Sequence, residues 1–268
     1  MVTIRQQPAM KKHRSASTGL IFIQAMFMLP STMSDSTTPL NILYQDEWIV
    51  AVDKPAGHLV HPADSPQEGD QVTMKILRDQ IGHLVYSLHR IDRPTTGVLL
   101  FGIDQSVSKH LHQAFENHEI EKTYWAVVNA TPNKSLWRCT EPIQKSENSP
   151  IRDADTSFKL LATREVECLT GMESSTLSLI EARPHSGRYH QIRRHLLHAG
   201  MPIIGDYRYG GIDRCDLLGE KLGIGSRMLL QSKSLTFSHP FTGDTVSIQA
   251  PVDPCFKKCF PDHASFAI

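Results

Sequence analysis

No Cys-x-x-Cys pair occurs in this sequence, and its five cysteines (Cys139, Cys168, Cys215, Cys255 and Cys259) fall at scattered positions. Such spacing argues against a zinc ribbon, and the odd count argues against a fully bridged disulfide framework. Reduced thiols in a cytoplasmic protein are expected instead. No Gly-rich phosphate loop of the P-loop or dinucleotide-binding kind is present. No internal repeat is visible, and the longest candidate apolar run, residues 20–29, is far shorter than the about 20 residues a helix needs to cross a bilayer.

Net charge is absent too, since 28 Lys and Arg balance 28 Asp and Glu. The balance is uneven along the chain. Residues 1–32 hold four basic residues (Arg5, Lys11, Lys12 and Arg14) and no acid, which leaves 24 basic against 28 acidic residues elsewhere, a net of −4. A body of that charge does not attract a polyanion as a whole. Any nucleic-acid site must be a local basic patch on a mildly acidic surface.

What is present is an ordinary globular composition. The 268 residues are 40% hydrophobic and 21% charged, enough for one large domain or two small ones with a sizeable core. Residues 1–39 read differently from the rest: residues 11–14 are basic, 20–29 mostly apolar, and 30–39 rich in Ser and Thr. A secretory signal shares that order. A disordered or transit-like extension is a second reading. The favoured reading takes Met33 as the natural start, because Met33-Ser-Asp-Ser begins a plausible cytoplasmic N-terminus. The expected organisation is an N-terminal extension over 1–39, a folded domain over 40–254 and a C-terminal tail over 255–268.

Within the domain, residues 42–44 and 48–52 read as strands around the turn Gln45-Asp46-Glu47. Apolar spacing predicts helices over 72–81 and 107–118. Residues 122–130 alternate as a strand, 131–153 read as a loop-rich excursion, and 158–162 and 177–182 read as further strands. Residues 189–198 read as a helix closed by Gly200, and 228–237 and 245–249 as late strands. Strands outnumber helices and many neighbours are joined by short turns, which predicts an α+β fold with a mixed, largely antiparallel sheet.

Three segments carry candidate chemistry. His89-Arg-Ile-Asp-Arg-Pro-Thr-Thr-Gly97 places one carboxylate, Asp92, in a tight connection between two apolar runs. Alone it also reads as a surface turn with an exposed ion pair. Residues 183–198 concentrate four arginines and four histidines in sixteen positions. On a helix His190, Arg194 and His198 share a face, Arg193 and Leu197 form the adjoining row, and Ile192 and Leu196 can face the core. A basic helix after Ser186-Gly187 suits phosphate binding, with a solvated amphipathic helix as the bland alternative. His195 and His198 have no obvious third ligand, so no metal is expected. In the third segment, Glu121-Lys-Thr-Tyr-Trp-Ala-Val-Val128, Tyr124 points opposite to Trp125 on a strand, so one aromatic can fill the core while the other lines a cleft.

Together these segments resemble the RluA-type family of pseudouridine synthases. The first is similar to the family's His-Arg-Leu-Asp-x-x-Thr-Ser-Gly signature, with Ile91 for Leu and Thr96 for Ser. The strand around Tyr124 is similar to Lys-x-Tyr-x-Ala-x-Val. Ser186 to Arg193 is similar to Thr-Gly-Arg-x-His-Gln-Ile-Arg, with Ser186 for Thr. Residues 42–57 and Pro202-Ile-Ile-Gly-Asp-x-x-Tyr-Gly210 also fit, and the resemblance runs in the family's order over about 40–250. Gln231 stands where His is common. Arg93-Pro94 and Asp79-Gln80-Ile81-Gly82 look most like the branch that modifies uridine 65 of certain tRNAs.

The resemblance implies the pseudouridine synthase fold, with flanking helices and a central active-site cleft, and an isomerase acting on tRNA without metal or nucleotide cofactor. It implies Asp92 as catalytic carboxylate, Arg193 as its ion-pair partner, and Tyr124 as a surface stacked on the target base that can help take the C5 proton. Arg90 would fill the stack vacated by an extruded nucleotide. His89, Lys54, Arg188, His190 and Arg194 are the expected substrate contacts. A monomer without an obligate protein partner or membrane attachment is expected. An rRNA-directed or dual-specificity synthase is the alternative within the family. A non-catalytic RNA-binding protein would have no use for Asp92 and Tyr124. A kinase would need the acid one place earlier than His89-Arg90-Ile91-Asp92 provides, and the other kinase motifs are missing.

Overall fold

The computed structural model describes residues 38–62, 67–166 and 176–263. Most of the N-terminal extension, including Met33, lies outside them. Strands β1 (Asn41–Gln45) and β2 (Ile49–Lys54) form a hairpin, followed by α1 (Thr73–Ile81), the short β3 (Tyr86–Ser87), β4 (Thr96–Gly102) and α2 (Gln105–Glu116). Next come β5 (Glu121–Val128), β6 (Leu136–Cys139), the small hairpin of β7 (Ile143–Gln144) and β8 (Ile151–Arg152), β9 (Thr156–Glu165) and β10 (Thr176–Pro184). The chain continues through α3 (Gln191–His198), α4 (Ile212–Lys221), β11 (Leu230–Ser238), β12 (Thr245–Gln249) and α5 (Pro254–Cys259).

Ten of these strands share one sheet, ordered β1-β2-β4-β11-β5-β10-β9-β6, with β12 added to β11 and β3 to β4. The β4–β11 pairing is parallel and the other described pairings are antiparallel. The expected α+β architecture with a mainly antiparallel sheet is what forms.

The central strands alternate between two packed faces. Val50, Val52, Leu99, Phe101, Tyr124, Ala126 and Val128 join one core with Leu77 of α1 and Ile192 and Leu196 of α3. The intervening Ile49, Ala51, Val98 and Leu100 meet Val107 and Leu111 of α2. Trp125 and Val127 meet Leu218 of α4 and Phe256 of α5. Because both faces are covered, β4 is buried at every position and reads as a continuous apolar run rather than an alternating one.

Three expectations need correction. Residues 131–153 are not simply loop: β6 pairs with β9, and Trp137 stacks on Phe158 with ring centroids 5.1 Å apart. The hairpin of β7 and β8 then carries the chain to the cleft rim. Residues 255–260 are not a tail, because Asp253 caps α5 through the Cys255 amide, and Phe256, Cys259 and Phe260 are buried in the core. Third, α3 begins at Gln191, since His190 sits in the left-handed region with φ 54°. Helix α4, in addition, has no counterpart among the expected helices.

The last residue of the Asp92 signature has a backbone reason. Gly97 has φ +100°, and a Cβ there would lie 2.1 Å from the Ser232 carbonyl oxygen of the parallel neighbour β11. Gly97→Ala must therefore strain its own backbone and push β4 from β11. A loss of about 3 kcal/mol or more is expected, read as a lowered urea midpoint. A midpoint within error of wild type would show that the two strands can separate without cost.

Candidate active site

Asp92 lies in the connection from β3 to β4, and that connection is held from several sides. The Thr95 amide donates to the Asp92 carbonyl at 3.0 Å, and the Gly57 amide donates to the Arg93 carbonyl at 2.9 Å. Arg93 donates back to the Gly57 carbonyl at 2.9 Å and pairs with Asp70 at 2.9 Å. His89 accepts the Leu100 amide on Nε2 at 3.0 Å and stacks on Phe115. With both ends fixed, the carboxylate is carried on a stiff loop into a cleft of ≈ 1090 Å³.

Two elements distant in sequence converge on it. Arg193, on the first turn of α3, donates from Nη1 to Asp92 Oδ2 at 2.9 Å. The same guanidinium makes a bidentate pair with Asp206, Nε to Oδ2 at 2.7 Å and Nη2 to Oδ1 at 2.8 Å. Arg193 and Asp206 are both buried. Burial alone would lower the Arg193 pKa, but the bonds to Asp206 and Asp92 outweigh it and raise it. Asp92 keeps 26% of its side-chain exposure, facing the cleft.

Tyr124 enters from β5, with its ring in the core and one edge on the cleft wall. Burial pushes its phenol up to about 12; the neighbouring Ser232 side chain opposes this and the Asp92 charge adds to it. The hydroxyl therefore stays protonated at neutral pH. Trp125, next in the chain, packs on the opposite face of the sheet, as strand alternation predicts.

The cleft is basic although the body is acidic. Arg90, Arg93, Lys122, Lys145, Arg152, Arg188 and Arg193 line it, against the acids Asp92 and Glu116. This is the local patch that a near-neutral chain needs to hold a polyanion.

The other expected contacts separate into two groups. Arg90 is exposed on the rim, one guanidinium nitrogen 3.4 Å from His61 Nε2. Arg188 also lines the cleft, its Nε donating to the Asp153 carbonyl at 2.9 Å. His190 sits beside the carboxylate, with Nε2 3.8 Å from Asp92 Oδ1.

Lys54 and Arg194 are corrected as phosphate contacts. Lys54 is fully buried and its Nζ donates to the carbonyls of Pro55, His58 and Arg93 at 2.7, 2.9 and 3.0 Å. It fastens the turn after β2 to the Asp92 loop, and burial lowers its pKa to about 7. His89 remains in the cleft wall, but burial lowers its pKa to about 3, so it offers no charge to a phosphate. Arg194 is absent from the cleft lining and donates to the Gln144 carbonyl at 2.6 Å, tying α3 to β7. A long cationic side chain in a basic cluster signals phosphate only until its own carbonyl partners are visible.

The residues the motif reading passed over are those that hold the site from behind. Asp206 is one, and Tyr209 is another: its hydroxyl lies 3.0 Å from His190 Nδ1. Their signal was the Gly-Asp-x-x-Tyr-Gly string of 205–210, which named no role. Gln191 is a third. Its Oε1 accepts the Ser186 hydroxyl at 2.7 Å and the Arg188 amide at 3.0 Å, while its Nε2 donates to the Asp155 carbonyl and to Thr156 Oγ1, both at 2.9 Å. Thr156 in turn meets His195 Nδ1 at 2.9 Å, and His195 Nε2 meets the Glu141 carbonyl at 2.9 Å. Since a carbonyl only accepts, His195 carries its proton on Nε2 and takes the Thr156 hydroxyl bond on Nδ1. Gln231, the departure from a common His, is buried and donates to the Pro251 carbonyl at 2.7 Å. Its contacts are with the approach to α5, so the substitution is absorbed there.

Comparison with known proteins bears on the family and the fold. The family model described as RNA pseudouridylate synthase matches residues 48–198. The chain is 40% identical over 224 residues to the tRNA pseudouridine synthase C of Salmonella typhi, covering 80% of this chain and 86% of that protein. It is 38% identical over 225 residues to the tRNA pseudouridine synthase C of Pasteurella multocida strain Pm70, covering 80% and 92%. Among solved structures, human RNA Pseudouridylate Synthase Domain Containing 4 superposes with a TM-score of 0.64 at 22% identity, over 82% of this chain and 91% of that one. The last likeness bears on the fold alone.

Proposed function

This chain belongs to the RNA pseudouridylate synthase family and is an isomerase, and we propose that its substrate is tRNA and its target uridine 65. The observation that carries the reading is Asp92, presented by a pinned loop and paired with Arg193, in a basic cleft that Tyr124 also lines. The names of the relatives supply the RNA class, and Arg93-Pro94 suggested the particular uridine. Because Arg93 is engaged by Asp70 and Gly57, its contribution to selectivity works through the shape of the loop rather than by reaching the RNA.

The reaction breaks the N1–C1′ bond, turns the base and rejoins it through C5. Asp92 is the catalytic carboxylate; a group of this kind stabilises positive charge at the ribose carbon or attacks a carbon of the nucleotide. Arg193 orients it and neutralises part of its charge. Tyr124 offers its ring face to the extruded base and its hydroxyl to the C5 proton once the new bond has formed. Arg90, exposed on the rim, fills the gap left in the RNA stack. Arg188 and Lys145 hold phosphates of the flanking nucleotides. The protein works in the cytoplasm as a monomer and without a cofactor.

Two measurements address this reading. Purified protein incubated with tRNA transcripts tritiated at uridine C5 should release tritium and leave pseudouridine at position 65. Modification confined to rRNA, or to another tRNA position, would overturn the assignment. Tyr124→Phe should keep KM for tRNA close to wild type and slow the single-turnover rate by about 10²-fold. An unchanged rate would leave Tyr124 a stacking surface only.

A further inference from the structure

Asp92 has two carboxylate oxygens, and the ion pair with Arg193 accounts for one. On the other side stands His190, Nε2 to Asp92 Oδ1 at 3.8 Å. Its surroundings are unusual. It is one of two described non-glycine residues with positive φ, at 54°, and stands at the N-cap of α3. Such a conformation costs a β-carbon residue about 1 kcal/mol or more and persists where the surroundings enforce it. Here the ring stacks on Tyr189 with centroids 3.7 Å apart and meets the Tyr209 ring edge-on at 5.7 Å.

The hydrogen-bond partners decide where the imidazole proton sits. Nδ1 lies 3.0 Å from the Tyr209 hydroxyl and Nε2 faces a carboxylate. A bare ring nitrogen aimed at a carboxylate is repelled, whereas an N–H is attracted. The favoured tautomer therefore carries its proton on Nε2 and accepts the Tyr209 O–H on Nδ1. Burial lowers the His190 pKa to about 4, with Asp92 opposing and Arg193 adding to the fall. At neutral pH the ring is uncharged, and its effect on Asp92 is that of a directed N–H.

Both supports of Asp92 are anchored in one short turn. Asp206 clamps Arg193, and Tyr209, three residues on, anchors His190. The turn is closed by the Tyr209 amide on the Asp206 carbonyl at 3.1 Å and the Gly210 amide on the same oxygen at 2.6 Å. The Arg193 guanidinium also lies over the Tyr209 ring, 5.0 Å from its centroid. It starts from Gly205, where φ is +74° and a Cβ would strike the Arg227 carbonyl, so its place against the sheet is fixed.

We propose that His190, with its tautomer set by Tyr209, is a positioning residue for Asp92, donating Nε2–H toward Oδ1 while Arg193 holds Oδ2. The 3.8 Å separation is longer than a hydrogen bond, so in the free protein the contact is a directed electrostatic one. The role deepens the proposed isomerase reading and rests on it. It differs from the direct substrate contact expected of His190.

The test uses three variants of the full chain with a tRNA substrate. His190→Asn keeps a residue tolerant of positive φ but has no atom where Nε2 stands. His190→Gln restores an N–H at that reach. Tyr209→Phe removes only the hydroxyl. We expect kcat to fall about 10–100-fold in His190→Asn with KM within about 3-fold of wild type, by analogy with the loss of residues that orient a ligating side chain. His190→Gln should recover part of kcat, and Tyr209→Phe should lower kcat less than His190→Asn does. In the free wild-type protein, nitrogen NMR should show His190 protonated on Nε2 and bare on Nδ1, and Tyr209→Phe should mix the tautomers. A loss confined to KM, a Gln variant no better than Asn, or a wild-type ring protonated on Nδ1 would each overturn the proposal. Wild-type protein inactive on tRNA would instead count against the parent reading, while the NMR tautomer still reports on His190.

Discussion

Asp92→Asn folds as the wild type does and loses pseudouridine formation by about 10⁴-fold or more. The two halves of this expectation have separate causes. Folding survives because the amide fills the same volume, its oxygen can still accept from Arg193, and Arg193 keeps its bidentate partner Asp206. No buried charge is stranded, so stability should change by no more than about 1 kcal/mol. Chemistry does not survive, because an amide neither stabilises a developing cation as a carboxylate does nor attacks carbon. Thermal unfolding and tritium release on the same preparation check both halves. Residual turnover within about 10³-fold of wild type would take Asp92 out of the catalytic role, and a large drop in melting temperature would make the activity loss uninformative.

Asp206→Ala should show the opposite balance. Arg193 is buried, and among the described residues Asp206 supplies two of the three charge-assisted bonds of its guanidinium. Removing Asp206 leaves that cation under-compensated in a low-dielectric setting, a change worth about 3–5 kcal/mol of stability. For a body of this size that is roughly 10 °C in melting temperature. Activity should fall as well, because Arg193 is no longer held toward Asp92. The check is a pair of denaturant titrations, for Asp206→Ala and for Asp206→Asn, whose oxygen can still accept one of the two bonds. Asn is expected to lie between Ala and wild type. If all three unfold at the same midpoint, Arg193 is solvated in solution and the buried clamp is not its environment.

Much of the fold was legible because it rests on local pattern. The run over 98–103 is apolar throughout, and β4 is buried on both faces; the alternation at 121–128 placed Tyr124 and Trp125 on opposite sides correctly. Prediction weakened where a strand's partner lay far away. The pieces β6, β7 and β8 are too short to show a period, and they exist because β9 and one another's backbones are there to pair. In the same way α5 is not legible in the sequence, since its apolar face, Phe256, Cys259 and Phe260, acquires meaning only against α4 and β10.

At the site the division is similar. The motifs alone point to the family and the reaction and nominate Asp92, Tyr124 and Arg193, because chemistry at a reacting centre admits few side chains and keeps them in a set order. What the surrounding polar residues do depends on how the chain folds around them. Lys54, a surface cation in composition, is consumed by three carbonyls. Arg194 anchors a hairpin, Arg93 holds a loop, and Asp206 and Tyr209 stand behind Arg193 and His190. The reason is physical: a charged or polar side chain has the same donors and acceptors wherever it stands in the chain. Whether they meet RNA, a carbonyl or a buried counter-charge depends on which backbone folds against it.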